Sequence, residues 1–172
     1  MDTTTFTSEL VQFAGVQQQI DTNTNLGSLI SLTQGEETLQ GSAMVGKTVD
    51  LNSTTLALQN GSGTVDYTAA TANEPIQFTV TNSAGQKVFT TNFDAPQAGT
   101  NSYTWNGQDN SGNQLADGAY TISMQGTIGN ASPTKISFTT LGTVTGVINS
   151  GGTIELNVGS ITAPLSSVQS VN

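Results

Sequence analysis

From Tyr103 to Tyr120 the chain spells out strand, loop, strand. Tyr103 and Trp105 alternate with Thr104, the period-2 spacing of a half-buried strand. Asn106 to Gly118 are almost all turn formers, and Tyr120, Ile122 and Met124 then alternate again. The stretch holds the only Trp and two of the three Tyr. Trp105, Tyr103 and Tyr120 are therefore expected to fill one core, with Gly107, Gly112 and Gly118 free to take positive φ where the loop doubles back.

Composition narrows the class. Apolar residues are only 34%, but charged residues are only 9%, and Val, Ile and Thr recur in alternation. Disordered chains combine low hydrophobicity with high charge density, so a Thr-rich β protein fits better. The net charge of −9 reflects a shortage of cations: Lys47, Lys87 and Lys135 are the only ones, and Arg is absent. Phosphate-backbone recognition needs clustered cations, which argues against nucleic acid and against an anionic membrane surface. No run approaches the roughly 20 apolar residues of a membrane span, and no cleavable signal peptide is visible. Cysteine is absent, which fixes no compartment.

At the start, Phe6, Leu10, Phe13, Val16 and Ile20 recur at steps of three or four, predicting a helix over residues 2–21 with one apolar stripe. A helix of this length is marginal alone, so the stripe packs either on the rest of its own chain or on copies and partners. Residues 22–42 carry Leu26, Leu29, Ile30, Leu32 and Leu39 and read as a second helical piece, broken near Gly35. From Ala43 the period becomes 2: Val45, Lys47 and Val49, then Leu56 and Leu58, then Val65 and Tyr67. After Pro75 a second series runs through Ile76, Phe78 and Val80, past the turn Asn82 to Gly85, and on to Ile136, Phe138 and Thr140. Short strands end the chain over 144–162. Strands at this spacing argue an antiparallel sandwich.

Chemistry has little to work with. Without His or Cys, Ser-His and Cys-His nucleophiles, imidazole bases and nearly all zinc sites are excluded. Asp109 and Asp117 flank one loop and invite comparison with a glycosidase carboxylate pair, but both suit turn positions where Asp bonds its own backbone. Asp109-x-Ser111-x-Asn113 has the alternate oxygen spacing of a calcium loop and lacks the later Glu and Gly. The expectation is no catalytic residues, no metal and no cofactor.

W-N-G-x-D-x-x-G at Trp105 to Gly112, followed by Gly118-Ala119-Tyr120, resembles the signature of the bacterial flagellar hook-capping family, also called the basal-body rod modification family. The opening Met1 to Phe13, the segment Val45-Gly46-Lys47-Thr48-Val49, and a closing segment agree with it in family order. That closing segment runs through Leu141 to Val147, Ile154-Glu155-Leu156, Ile161 and Val168. The resemblance implies a mainly β fold with an N-terminal helical segment, in which a fibronectin type III or Ig-like sandwich is inserted into a small tudor-like β-barrel. On that pattern residues 1–42 are the helical segment, 43–70 plus 141–172 the barrel, and 71–140 the sandwich. Residues 75–140 would then fold alone, and 43–70 would need 141–168.

The function implied is a non-enzymatic scaffold at the tip of the growing hook, promoting polymerisation of hook protein. Its partners would be hook subunits, copies of itself and the flagellar export apparatus. Export would run through the flagellar type III secretion channel to the tip of the growing rod or hook. The family carries a polar segment before the part matched here, so Met1 is expected to be internal to a longer protein. Phe6, Leu10, Phe13, Val16 and Ile20 would form the oligomer or hook contact. The loops at Asn82 and Gly85 and at Asn106, Gly107, Asp109 and Gly112 could touch hook subunits. The competing reading is a free-standing extracellular sandwich that binds carbohydrate or protein; a hydrolase is the third. A free sandwich needs neither the two flanks nor an apolar helix at the start.

Overall fold

Period-2 burial along the strands sorts the side chains of this computed structural model into two separate cores. The structure describes residues 3–126 and 134–172, with the backbone alone for 3–6. One helix, α1 (Thr3–Ser42), precedes twelve strands: β1 (Thr48–Leu51), β2 (Thr55–Leu58), β3 (Gly63–Ala69), β4 (Ile76–Thr81), β5 (Lys87–Phe93), β6 (Gly99–Trp105), β7 (Gly118–Gly126), β8 (Thr134–Lys135), β9 (Phe138–Ser150), β10 (Thr153–Val158), β11 (Ile161–Pro164) and β12 (Val168–Val171).

The first core is aromatic. Leu56, Leu58, Val65, Tyr67, Ile76, Phe78, Trp105, Tyr120 and Ile122 are among its buried members, with Phe89, Phe93 and Tyr103 packed on it. Tyr67 stacks on Phe93 at 5.2 Å, and Tyr103 meets Phe78 edge-on at 5.3 Å. Offset and edge-on pairs of this kind add attraction beyond the area they bury. Two sheets enclose this core: β2-β7-β4-β5 on one side, β6-β3 and the start of β9 on the other. The second core holds Val49, Leu51, Ala57, Val144, Leu156, Val158, Ile161 and Ala163, wrapped by the strand series β11-β10-β9-β1-β12. The fold is mainly β with one N-terminal helix, as expected.

The division between the cores differs from the expected one. Leu56, Leu58, Val65, Tyr67 and Ala69, placed by sequence in the barrel flank, belong to the aromatic core. The reason is alternation: β2 sends Leu56 and Leu58 to one core and Ala57 to the other. The strand expected to begin near Ala43 begins at Thr48. Val45 sits in a turn that closes the helix, with Ala43 N donating to Leu39 O and Lys47 N to Met44 O. Phe138 to Ile148, read as separate short strands, lie in one 13-residue strand, β9.

The expected break near Gly35 is also absent: α1 is a single 40-residue helix, about 60 Å long at 1.5 Å per residue. Its many hydroxyls bond locally without breaking the helix. Thr22, Thr24, Ser28, Ser31, Thr33, Thr38 and Ser42 each donate to the carbonyl four residues back. Side chains that elsewhere compete with the helix thereby bond into it.

Candidate functional surfaces

The helix meets the barrel only near its C-terminal end. Among its described residues only Gln34, Glu37 and Gly41 are partly or fully buried, and their spacing puts them on one face. Gly41 is buried against β9 and β10, where a Cβ would come within 3.1 Å of Val147 Cγ1 and 3.3 Å of Leu156 Cδ2. Gln34 Nε2 donates to Gly152 O at 3.3 Å, at the tip of the β9–β10 hairpin. The helix thus turns its polar and small residues toward its own chain. Its apolar residues face outward: Phe13 is 70% exposed and Leu39 74%, and Leu10, Val16 and Ile20 are more than half exposed. The side chain of Phe6 lies outside the described residues. Of the two packings left open by sequence, the described part of the stripe does not pack on the chain's own barrel.

The Trp105 loop is built from within. Trp105 is fully buried, its ring 5.9 Å from Phe89 and 5.3 Å from Tyr120, and its indole Nε1 donates to Gln108 O at 2.9 Å. Tyr120 is buried and its hydroxyl donates to Ala116 O at 2.8 Å. Burial first, and the nearby Asp117 carboxylate second, push its phenol above the ordinary tyrosine value. Tyr103 is half-buried at the edge of the same core. Gly107 has φ +70°, and any Cβ there would press on Gly61 O, so the tight turn after Asn106 demands glycine.

The two tempting carboxylates are both engaged in turn geometry. Asp117 accepts from Asn60 N at 2.7 Å and Gly61 N at 2.8 Å, tying the β2–β3 turn to the β6–β7 loop. Asp109 accepts from Ser111 N, Asn113 N and Asn113 Nδ2 at 2.8–2.9 Å. Its ligand capacity is therefore spent on its own loop, and among the described residues no group of three acidic side chains is placed to hold a metal. These bonds, with the Asn113 side chain foremost, hold the Asp109 carboxyl below the ordinary aspartate value. A group depressed on folding stabilises the loop above its unfolded pKa, and the effect fades as pH falls through the folded value. The loop contribution should therefore persist at neutral pH and vanish only below about pH 4. Carboxyl NMR titration should place the Asp109 midpoint under that of an unstructured Asp, and Asn113→Ala should raise it.

Asn110, which sequence reasoning passed over, closes the edge of β5: its Oδ1 accepts from Thr90 N at 2.8 Å and its Nδ2 donates to Thr90 O at 2.9 Å. A primary amide offers the same donor and acceptor as a peptide group, and this pairing covers a free strand edge. The Asn82 to Gly85 turn is held by Asn82 Oδ1, which accepts from Ala84 N and Gln86 N. Both loops are hydrogen-bonded surface features with polar tips.

A family model described as the FlgD Ig-like domain matches residues 52–130. The basal-body rod modification protein FlgD of Escherichia coli is 29% identical over 170 residues, spanning 91% of this chain and 71% of that protein. FlgD of Salmonella typhimurium is 25% identical over 69% of this chain. A crystal structure of FlgD from Xanthomonas campestris, described as giving insights into the hook capping essential for flagellar assembly, superposes with a TM-score of 0.68. It is 29% identical, and the match covers 79% of this chain and 99% of that one. The chain is similar to FlgD proteins over most of its length. FlgD from Pseudomonas aeruginosa shares the fold with a TM-score of 0.62 at 23% identity, covering 75% of this chain and 98% of that one. The chain matches only 54% of the Salmonella FlgD's length. The FlgD Ig-like match begins at Asn52, just ahead of β2. That agrees with the core division above, in which β2 and β3 belong to the sandwich.

Proposed function

We propose that this chain is a non-enzymatic cap subunit at the tip of the growing flagellar hook, promoting the polymerisation of hook protein. The observation that carries the reading is the orientation of α1. It rests on the barrel through Gln34, Glu37 and Gly41 and leaves Leu10, Phe13, Val16 and Ile20 uncovered. Each such side chain gains about 1.5–3 kcal/mol on full burial, so a helix presenting them in this way is built to meet something outside its own chain. The E. coli FlgD relationship and the hook-capping description of the Xanthomonas structure supply the setting. The partners are hook subunits and other copies of the chain, reached after export through the flagellar secretion channel. The polar turns at Asn82 to Gly85 and Asn106 to Gly112 are the sandwich surfaces offered to hook subunits. A free-standing binding sandwich gives no role to this helix.

The test is Leu10→Asp with Phe13→Asp in the intact protein, with hook assembly scored in cells and thermal unfolding measured on the purified variant. Hooks should be lost while the β domains melt at their usual temperature, because both residues are exposed. Normal hooks would sink the contact role of the helix. A collapsed β-domain transition would show that the stripe serves the chain's own core.

A further inference from the structure

The strand β9 changes partner along one edge. Its pairing with β3 in the sandwich ends at Leu141 opposite Thr64, and its pairing with β10 in the barrel begins at Val144 opposite Val158. Gly142 and Thr143 lie between, and successive residues of a strand turn their backbone groups to opposite edges. Val144 turns its own toward β1: its N–H donates to Lys47 O at 2.9 Å and its C=O accepts from Gly46 N at 2.8 Å. Thr143 therefore faces the other edge, where the ladder has a gap.

A side chain fills that gap. Thr143 N donates to Gln59 Oε1 at 2.8 Å, and Gln59 Nε2 donates to Thr143 O at 3.0 Å. A primary amide carries the same donor and acceptor as a peptide unit, so Gln59 stands in for the missing strand residue. Two glycines of the barrel leave room for it. A Cβ at Gly142 would lie 3.3 Å from Gln59 Oε1, and one at Gly159 would lie 2.9 Å from Gln59 Cγ. The main chain of Gln59 is held by the sandwich instead. It exchanges hydrogen bonds with Ser62 across the β2–β3 turn, and Asp117 binds the next two N–H groups of that turn. One residue thus has its backbone in the sandwich and its amide in the barrel. Thr143 is exposed and Gln59 half-buried, so water competes for both bonds.

We propose that Gln59 is a releasable latch that sets the angle between sandwich and barrel. Closed, as in this structure, it makes the edge of β9 continuous from β3 to β10. Released, it leaves Gly142 and Thr143 paired with β1 alone, and a glycine inside a strand weakens it at that point. The gap between Thr64 and Val158 is then free to widen. That motion moves the sandwich turns at Asn82 to Gly85 and Asn106 to Gly112 relative to α1, which is docked on β9 and β10 through Gly41. The latch belongs to the two β units and stands apart from the hook-tip reading.

Two variants test it. Gln59→Met keeps the length of the side chain and its place between the glycines but removes the amide. Gln59→Glu keeps an acceptor for Thr143 N and sets a second oxygen against Thr143 O. The chain has no cysteine, so spin labels at Thr71→Cys in the sandwich and Thr162→Cys in the barrel, both exposed, report the distance between the units. Amide hydrogen exchange reads the bond itself, and circular dichroism checks the fold. The parent should give one narrow distance and both variants a shifted or broader distribution with the β fold retained. The Thr143 amide should exchange about tenfold faster in Gln59→Met, the size expected for one lost hydrogen bond. Faster exchange with the parent's distance distribution overturns the proposal, since the bond would then add stability without setting the angle. Exchange at the parent's rate also overturns it, as does a parent distribution already as broad as the variants'. If Gln59→Glu fails to fold, Gln59→Met, which adds no charge, decides alone.

Discussion

Residues 75–140 produced alone should fail to fold, although their aromatic-rich sequence suggests a self-sufficient sandwich. That piece lacks β2 and β3, and with them Leu56, Leu58, Val65, Tyr67 and Ala69 of the aromatic core. It also leaves β6, which pairs only with β3, without any ladder partner, and strips β7 of β2. A small sandwich that loses two strands loses both core volume and backbone pairing, well beyond the 5–15 kcal/mol that typically separates folded from unfolded chains. A piece running from residue 52 to 141 restores both strands and the start of β9, at the price of exposing Ala57. It should show dispersed NMR signals and a cooperative melt where 75–140 shows neither. A cooperative transition in 75–140 would overturn the core division described here.

Trp105→Ala should destabilise the sandwich by roughly 3–5 kcal/mol, the usual range for truncating a large buried aromatic. Trp105 is fully buried, packs on Phe89 and Tyr120, and holds the following loop through its bond to Gln108 O. In a protein of this size each kcal/mol moves the melting midpoint by about 2–4 °C, so a fall of roughly 6–20 °C is expected. Trp105→Phe retains much of the packing and should fall between the two. An unresolvable shift for the alanine variant would contradict the burial seen here.

Much of this architecture can be read from period alone. The Trp105 strand, its loop and the Tyr120 strand are announced by alternation and turn residues, and the hook-capping signature at Trp105 to Tyr120 points to the FlgD relatives. Three features escape local pattern. The continuity of α1 escapes propensity, which registers Gly27 and Gly35 as weak points. The membership of β2 and β3 is set by cross-strand pairing, since Leu56 and Val65 look alike in either core. The direction of the helix stripe is tertiary information: sequence shows that Leu10, Phe13, Val16 and Ile20 share a face, but only the docking of Gly41 on Val147 and Leu156 shows which way that face turns. Asn110 was missed because nothing local distinguishes an edge-closing amide from any other loop asparagine.

The strand β9 has mechanical meaning. Its first residues pair with β3 in the sandwich, its middle with β1, and its remainder with β10 in the barrel. One uninterrupted backbone therefore serves as a beam through both β units. Swinging one unit against the other would require bending that beam or tearing a ladder from it. The helix joins the same beam at the turn between Ala43 and Lys47, where Gly46 N donates to Val144 O and Val144 N to Lys47 O. A load applied to the sandwich should thus pass along one backbone to the base of the helix.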